Sequence, residues 1–193
     1  MASNIEIEAK VLLNEKEYIQ VIEKLQLDKY RKIKQTNYYI DTTKFDIRKN
    51  GFALRVREKN QEFELTLKTP LSEGLLEKNE RISWRDFEEL QYKNIFPEGG
   101  IKKFLAILGI DVNDLKIITS LSTERIDVEY PNMKLDVDKN QYGDNIDYEI
   151  EVESTSLSGA KESLKKILNE CGITSFSYNE ISKQARALRA LKK

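Results

Sequence analysis

The stretch IEIEAK, residues 5–10, sets Ile5, Ile7 and Ala9 in alternation with Glu6, Glu8 and Lys10. Successive side chains of a strand point to opposite faces, so this spacing predicts a strand with one apolar face and one ionisable face. An ordinary half-buried antiparallel strand with its charges in water carries the same pattern. The other strands decide between a solvated face and a buried one, because a solvated face has no reason to sort its charges by sign.

Sorting is what the rest of the chain shows. In FALRVRE (52–58), Phe52, Leu54 and Val56 oppose Arg55 and Arg57, and in FELTLK (63–68), Phe63, Leu65 and Leu67 oppose Glu64, Thr66 and Lys68. In DYEIEVE (147–153), Glu149, Glu151 and Glu153 alternate with Tyr148, Ile150 and Val152, a near mirror of the opening strand. With QTNYYIDTT (35–43), LLEKNERIS (75–83), TERIDVEY (123–130) and MKLDVD (133–138), and the first strand drawn over 5–13, eight strands are predicted. Helical periodicity predicts helices over about 15–26, over 86–116, from Ser158 to Cys171 and over a basic stretch 179–191, with a short turn of helix at 44–50. Asn14 with Glu17 reads as a capping box, and Gly51, Gly109 and Gly172 read as helix stops.

A chain of 193 residues, 39% hydrophobic and 34% charged, buries one good core, and a single domain over 1–193 is expected. Lys and Arg number 32 against 33 Asp and Glu, so no overall basic field points to nucleic acid or an anionic membrane. No apolar run approaches the roughly 20 residues of a membrane span and no signal-like segment opens the chain, so a cytoplasmic location is expected. The single cysteine, Cys171, forms no internal disulfide and reads as a buried structural thiol in a helix. The sequence has no histidine, which excludes Ser-His and Cys-His dyads and His-ligated zinc. Any metal must be held by oxygen, which points to Mg²⁺ or Mn²⁺.

Helices covering the apolar strand faces would leave the charged faces to line the inside of the sheet. The expected fold is therefore α+β: a closed eight-stranded antiparallel β-barrel, a tunnel with a charged lumen and helices packed outside. Unpaired charge in such a lumen is costly, so ligand and metal belong to the design. Arg55, Arg57, Lys68, Arg125 and Lys10 suit a chain of phosphates, and Glu6, Glu8, Glu149 and Glu151 suit hard divalent cations.

Glu6-Ile-Glu8-Ala-Lys10 resembles the ExExK signature of the CYTH superfamily, the triphosphate tunnel metalloenzymes. ALRVR, LTLK, TER, LDVDKNQY, DYEIEVE and Ser182-Lys183 follow in the family's order, so the resemblance spans residue 5 to about 186. It implies a tunnel that binds a triphosphate and a divalent metal. By that resemblance Glu6, Glu8, Asp138, Glu149 and Glu151 hold metal, and Lys10, Arg55, Arg57, Lys68, Arg125 and Lys183 hold phosphates. Glu6, Glu8, Lys10 and Lys183 are the expected catalytic set. Asp136 and Glu153 share the parity of these residues but fit the tunnel mouth as well. Glu77 is the residue of 75–83 assigned to the charged face, in a segment whose register alternation does not fix.

The expected activity is hydrolysis of a triphosphate's terminal phosphoanhydride bond, with inorganic tripolyphosphate favoured because the sequence shows a phosphate cradle and no base-recognition pocket. With no histidine, the general base is left to a carboxylate or to water on the metal. Adenylate cyclase, thiamine triphosphatase and a non-catalytic polyphosphate or nucleotide sensor are the alternatives. The expected partner is the small-molecule triphosphate, with no nucleic acid and no membrane, and a homodimer is left open. Tyr38, Tyr39 and Tyr142 are read as packing residues.

Overall fold

Alternating sequence builds an antiparallel sheet in a computed structural model that describes residues 2–191. In chain order its strands are β1 (Ala2–Glu6), β2 (Glu8–Leu13), β3 (Ile33–Asp41), β4 (Ala53–Lys59), β5 (Glu62–Pro70), β6 (Leu75–Ile82), β7 (Lys116–Tyr130), β8 (Met133–Tyr142) and β9 (Asn145–Ser154). The α-helices are α1 (Glu15–Lys24), α2 (Asp46–Lys49), α3 (Trp84–Lys93), α4 (Gly100–Ile107), α5 (Leu157–Glu170) and α6 (Lys183–Ala190). The α+β class with an antiparallel sheet is as expected. No helix among the described residues is long and apolar enough to cross a membrane.

The chain divides into two compact units. The first holds residues 2–5, 35–121 and 183–191, and its strand order is β1-β6-β5-β4-β3-β7. The second holds 6–34 and 122–182, with the order β7-β8-β9-β2. β7 contributes its first residues to one unit and its last to the other.

Each unit has its own core. In the first, Ile40, Leu54, Val56, Leu65 and Leu67 of the strands pack with Ile47, Leu90, Ile101 and Leu105 of the helices. In the second, Val11, Ile126, Val137, Ile150 and Val152 pack with Val21 of α1 and Ala160, Leu164 and Leu168 of α5. Each such aliphatic side chain contributes about 1.5–3 kcal/mol on burial. Cys171 lies in this second core, free and buried, and burial pushes its thiol above the usual range.

The local signals account for four of the helix ends. Asn14 and Glu17 form the expected capping box at α1. Gly51, Gly109 and Gly172 all take positive φ, at 74°, 76° and 81°, just past helical turns.

Four expectations are corrected. The strand drawn over 5–13 is two, β1 and β2, which brings the strands to nine. The ladder changes partner at Ile7, from β6 to β9, and the Ile7 carbonyl accepts from Ser154 N–H at 3.0 Å. With that change Ile5 leaves the packed face and is 59% exposed. The span 86–116 is not one helix: Asn94 turns left-handed at φ 55°, and Pro97 and Gly99 lie between α3 and α4. β7 then begins at Lys116 rather than 123, and the last helix begins at Lys183 rather than 179.

Candidate active site

In the second unit the strand parity puts one row of charges on each register position. Arg125 pairs with Asp138 and Asp138 with Glu149; Asp136 pairs with Glu151 and Glu151 with Lys10; Glu153 pairs with Glu8. The opposite parity supplies Leu135, Val137, Ile150 and Val152 to the core, so packing on one face fixes where every charge on the other must point.

The result is a buried acidic cluster. One ligand oxygen from each of Asp138, Glu149 and Glu151 lies within 4.8 Å of the others. Asp138 and Glu149 are both 0% exposed. Asp138 takes Arg125 bidentately, Nε donating to Oδ1 at 2.7 Å and an Nη2–H to Oδ2 at 2.6 Å. The same Nη2 donates to Glu151 Oε2 at 3.0 Å, and Nη1 donates to Asp136 Oδ2. Burial alone would lower the Arg125 pKa, but Asp138, Asp136 and Glu151 outweigh it and hold the guanidinium charged. Burial pushes the Asp136 carboxyl up to about 6, with Glu151 and Asp138 adding to the rise against Arg125 and Lys134. Asp136 Oδ1 is buried without a hydrogen bond, while Lys134 Nζ stands 3.4 Å from it.

Lys10 reaches two acids, forming an ion pair with Glu8 and standing 3.8 Å from Glu151. Burial raises the Glu153 pKa, and the charges of Glu6, Asp136 and Glu8 raise it further. Glu6 and Glu8 therefore share the end of the sheet where Glu153 sits.

The first unit carries the opposite sign. Across β4, β5 and β6, Arg55 faces Thr66 and Asn79, while Lys68 faces Glu77. Lys68 Nζ is 2.7 Å from Glu77 Oε1, and Arg55 Nη2 is 3.9 Å from the same oxygen. Burial raises the Glu77 pKa, but Lys68, Arg55 and Arg57 outweigh it and bring the carboxyl down to about 2. Arg57 Nε donates to Asn37 Oδ1 at 3.2 Å across the β3–β4 pair. Lys183 opens α6, half-buried, in the same unit.

The predicted residues thus fall into two groups. Glu6, Glu8, Lys10, Arg125, Asp138, Glu149 and Glu151 lie in the second unit, and Arg55, Arg57, Lys68 and Lys183 in the first. Asp136 joins the acidic cluster through Arg125, and Glu77 joins the basic group.

Several participants escaped the sequence reading. Asn179 donates from Nδ2 to Glu149 Oε1 at 3.1 Å, while its backbone N–H donates to the Lys10 carbonyl at 2.8 Å. The expected last helix starts at this residue but in fact begins at Lys183, and helical periodicity gives no sign that Asn179 reaches Glu149. Asn37 and Asn140 had a usable signal in their strand parity. Asn140 accepts from Thr123 at 2.8 Å and donates to Asp147 at 3.0 Å, continuing the polar face beyond Asp138.

The donor set fits an oxygen-ligated divalent cation. Three convergent carboxylates with a single guanidinium among them are hard ligands with an excess of negative charge, which suits Mg²⁺ or Mn²⁺.

Comparison with known proteins shows the family. The chain is 34% identical over 173 residues to "Putative triphosphatase YjbK" of Bacillus subtilis (strain 168), covering 90% of each protein. It superposes with a TM-score of 0.88 and 35% identity on the crystal structure of "a putative adenylate cyclase" from Bacillus halodurans, over 96% of this chain and 98% of that one. A Hippeastrum protein, HpAC1, whose structure is named for a "putative adenylyl cyclase" that reveals a dominant triphosphatase activity, matches in fold at a TM-score of 0.82 and 24% identity, over 96% of each chain. The CYTH domain pattern matches residues 4–187, and the chain belongs to the CYTH domain family.

Proposed function

We propose that the protein is a metal-dependent hydrolase of triphosphates, with inorganic tripolyphosphate as the favoured substrate and orthophosphate as a product. One observation carries the reading: the chain sorts its charge by sign, with Arg55, Arg57 and Lys68 together in one unit and Asp138, Glu149 and Glu151 together in the other. The triphosphatase name of the 34% identical relative supports it. We infer further that the sheet closes around the substrate as an eight-stranded tunnel. Support comes from the strand order, whose two ends, β1 and β2, are successive stretches of the strand predicted over 5–13.

Asp138, Glu149 and Glu151, with Glu6 and Glu8 toward the Glu153 end, hold the cation. A divalent cation there neutralises phosphate charge and makes water a better nucleophile. Arg55 and Arg57 grip phosphate oxygens through the planar guanidinium fork, and Lys68 adds a point charge. Glu77 holds Lys68 between encounters with substrate. Lys10, tied to Glu8 and Glu151, brings positive charge to the acidic face, and Lys183 adds to the basic group. A carboxylate takes the proton of the attacking water, and Asp136, whose Oδ1 is buried without a hydrogen bond beside the cluster, is the candidate.

Cyclisation of ATP is the second reading, favoured by the adenylate cyclase name of the 35% identical structure. It requires the ribose 3′-oxygen to attack the α-phosphate and yields cyclic AMP and pyrophosphate. Phosphorus NMR of tripolyphosphate with Mg²⁺ or Mn²⁺, beside a cyclic AMP assay on ATP, separates the two. Orthophosphate from tripolyphosphate is the expected result. Cyclic AMP with negligible orthophosphate would replace hydrolysis by cyclisation, and binding without either product would make the protein a sensor.

A further inference from the structure

Arg125 stands where the cation is expected. Its guanidinium engages both oxygens of Asp138, at 2.7 and 2.6 Å, and Oε2 of Glu151 at 3.0 Å. Those are two of the three carboxylates whose ligand atoms converge. Asp138 is fully buried, so its oxygens have no solvent to turn to and Arg125 supplies their compensation. A divalent cation and a guanidinium compete for the same carboxylate oxygens, and at contact distance in a buried site they also repel.

We propose that Arg125 is a displaceable internal counter-cation: a divalent ion binding Asp138, Glu149 and Glu151 takes the carboxylate oxygens over, and the guanidinium it releases becomes available to the phosphates. This rests on the metal-dependent reading above. The geometry allows the exchange without moving a strand. The Arg125 backbone is pinned opposite Asp138 in the β7–β8 ladder, while its side chain, 14% exposed, ends on several rotatable bonds. Arg125 is thus a positioning residue for the metal ligands before it is a phosphate ligand, and metal and substrate binding are coupled through one side chain. A fixed strut makes the opposite prediction, since removing it disorders the carboxylates and weakens metal binding.

Calorimetric titration with Mn²⁺ alone, without any triphosphate, tests the exchange in wild type, Arg125→Gln, Arg125→Lys and Glu149→Gln. The expected result is Mn²⁺ binding in wild type, binding tighter on the order of tenfold in Arg125→Gln, and an intermediate value in Arg125→Lys. Thermal denaturation should agree, with Mn²⁺ raising the Tm of Arg125→Gln more than that of wild type. If Arg125→Gln folds only with Mn²⁺ present, the Lys variant, which keeps the charge and loses the fork, carries the comparison. Equal or weaker Mn²⁺ binding in the Arg125 variants, with wild type binding and Glu149→Gln not, overturns the exchange and leaves the metal site standing. Absence of Mn²⁺ binding in wild type, or unchanged binding in Glu149→Gln, removes the metal site itself.

Discussion

The two units are built alike and charged oppositely. In the first, cations on alternating strand positions surround one acid, Glu77, with Lys68 at 2.7 Å and Arg55 at 3.9 Å. In the second, carboxylates on alternating positions surround the guanidinium of Arg125, which contacts Asp136, Asp138 and Glu151, with Lys10 between Glu8 and Glu151. A buried face of one sign is tolerated only when an opposite charge is set within it. The difference lies in how far the inserted charge goes. Glu77 is well compensated, and its carboxyl falls to about 2. Arg125 is outnumbered, and Asp136 is left near 6. The first unit keeps excess positive charge, with Arg55 Nε buried without a hydrogen bond, whereas the second holds excess negative charge that a further cation relieves.

Substitutions that hit only one unit should separate two kinds of loss. Asp138→Asn and Glu149→Gln keep shape and remove ligand charge, so turnover of tripolyphosphate should fall on the order of 10²–10³-fold. Binding by the basic unit should survive. Steady-state kinetics with Mn²⁺ and calorimetry with tripolyphosphate read the two effects, and full turnover in either variant would end the division of labour.

The same contrast fixes opposite pH dependences of stability. The raised Asp136 pKa means the folded state keeps a proton that the unfolded chain releases. Its contribution is complete below about pH 3.8 and is lost as pH rises through about 6. Glu77 behaves inversely: its contribution is present above about pH 4.5 and is lost as pH falls toward about 2. Each shift corresponds to about 3 kcal/mol. Chemical denaturation in EDTA between pH 3 and 7 should show Asp136→Asn gaining on wild type as pH rises, and Glu77→Gln losing ground. Slopes of the same sign in both variants would break the comparison.

Arg55→Ala and Arg57→Ala should weaken tripolyphosphate binding by roughly 1.5–3 kcal/mol each, the value of a charge-assisted contact. Lys at either position should restore part of it, because a point charge does not reproduce the fork. Unchanged affinity in both alanine variants would remove the cradle.

Alternation made the strands and the sign of each face legible before any coordinates, since apolar neighbours such as Leu54 and Val56 leave Arg55 and Arg57 one direction to point. Glu77 was reachable because Lys68 and Glu77 belong to neighbouring strands, yet only the ladder register pairs them. What alternation lacks is register between strands. It marked Arg125 as a cation but did not show that Asp138 lies opposite it, and so the guanidinium was assigned to phosphates alone. The split at Ile7 was hidden for the same reason: both halves alternate, and only the change of partner divides them. Asn179 was beyond reach, because the expected last helix starts there, and its contact with Glu149 joins residues 30 apart across α5.

The asparagines allow the finest comparison. Asn37 steadies Arg57 in the first unit, with Oδ1 accepting at 3.2 Å, and Asn179 steadies Glu149 in the second, with Nδ2 donating at 3.1 Å. Neither carries charge, so each acts on the site by orienting a charged neighbour, and an alanine should cost about 1 kcal/mol in the quantity that neighbour controls. Asn37→Ala should then weaken tripolyphosphate binding several-fold and leave Mn²⁺ affinity alone. Asn179→Ala should weaken Mn²⁺ binding by a similar factor and leave tripolyphosphate affinity measured in EDTA alone. Asn179 also holds its own backbone to the Lys10 carbonyl at 2.8 Å, an interaction the substitution retains, while its side chain bonds the Ile181 N–H and C=O, each at 3.0 Å. Asn179→Asp, which keeps the acceptor for Ile181 and loses the donor to Glu149, should weaken Mn²⁺ binding as well if the Glu149 contact is what matters. Crossed effects, with Asn37 moving the metal or Asn179 moving the anion, would show that the two charged faces do not act separately.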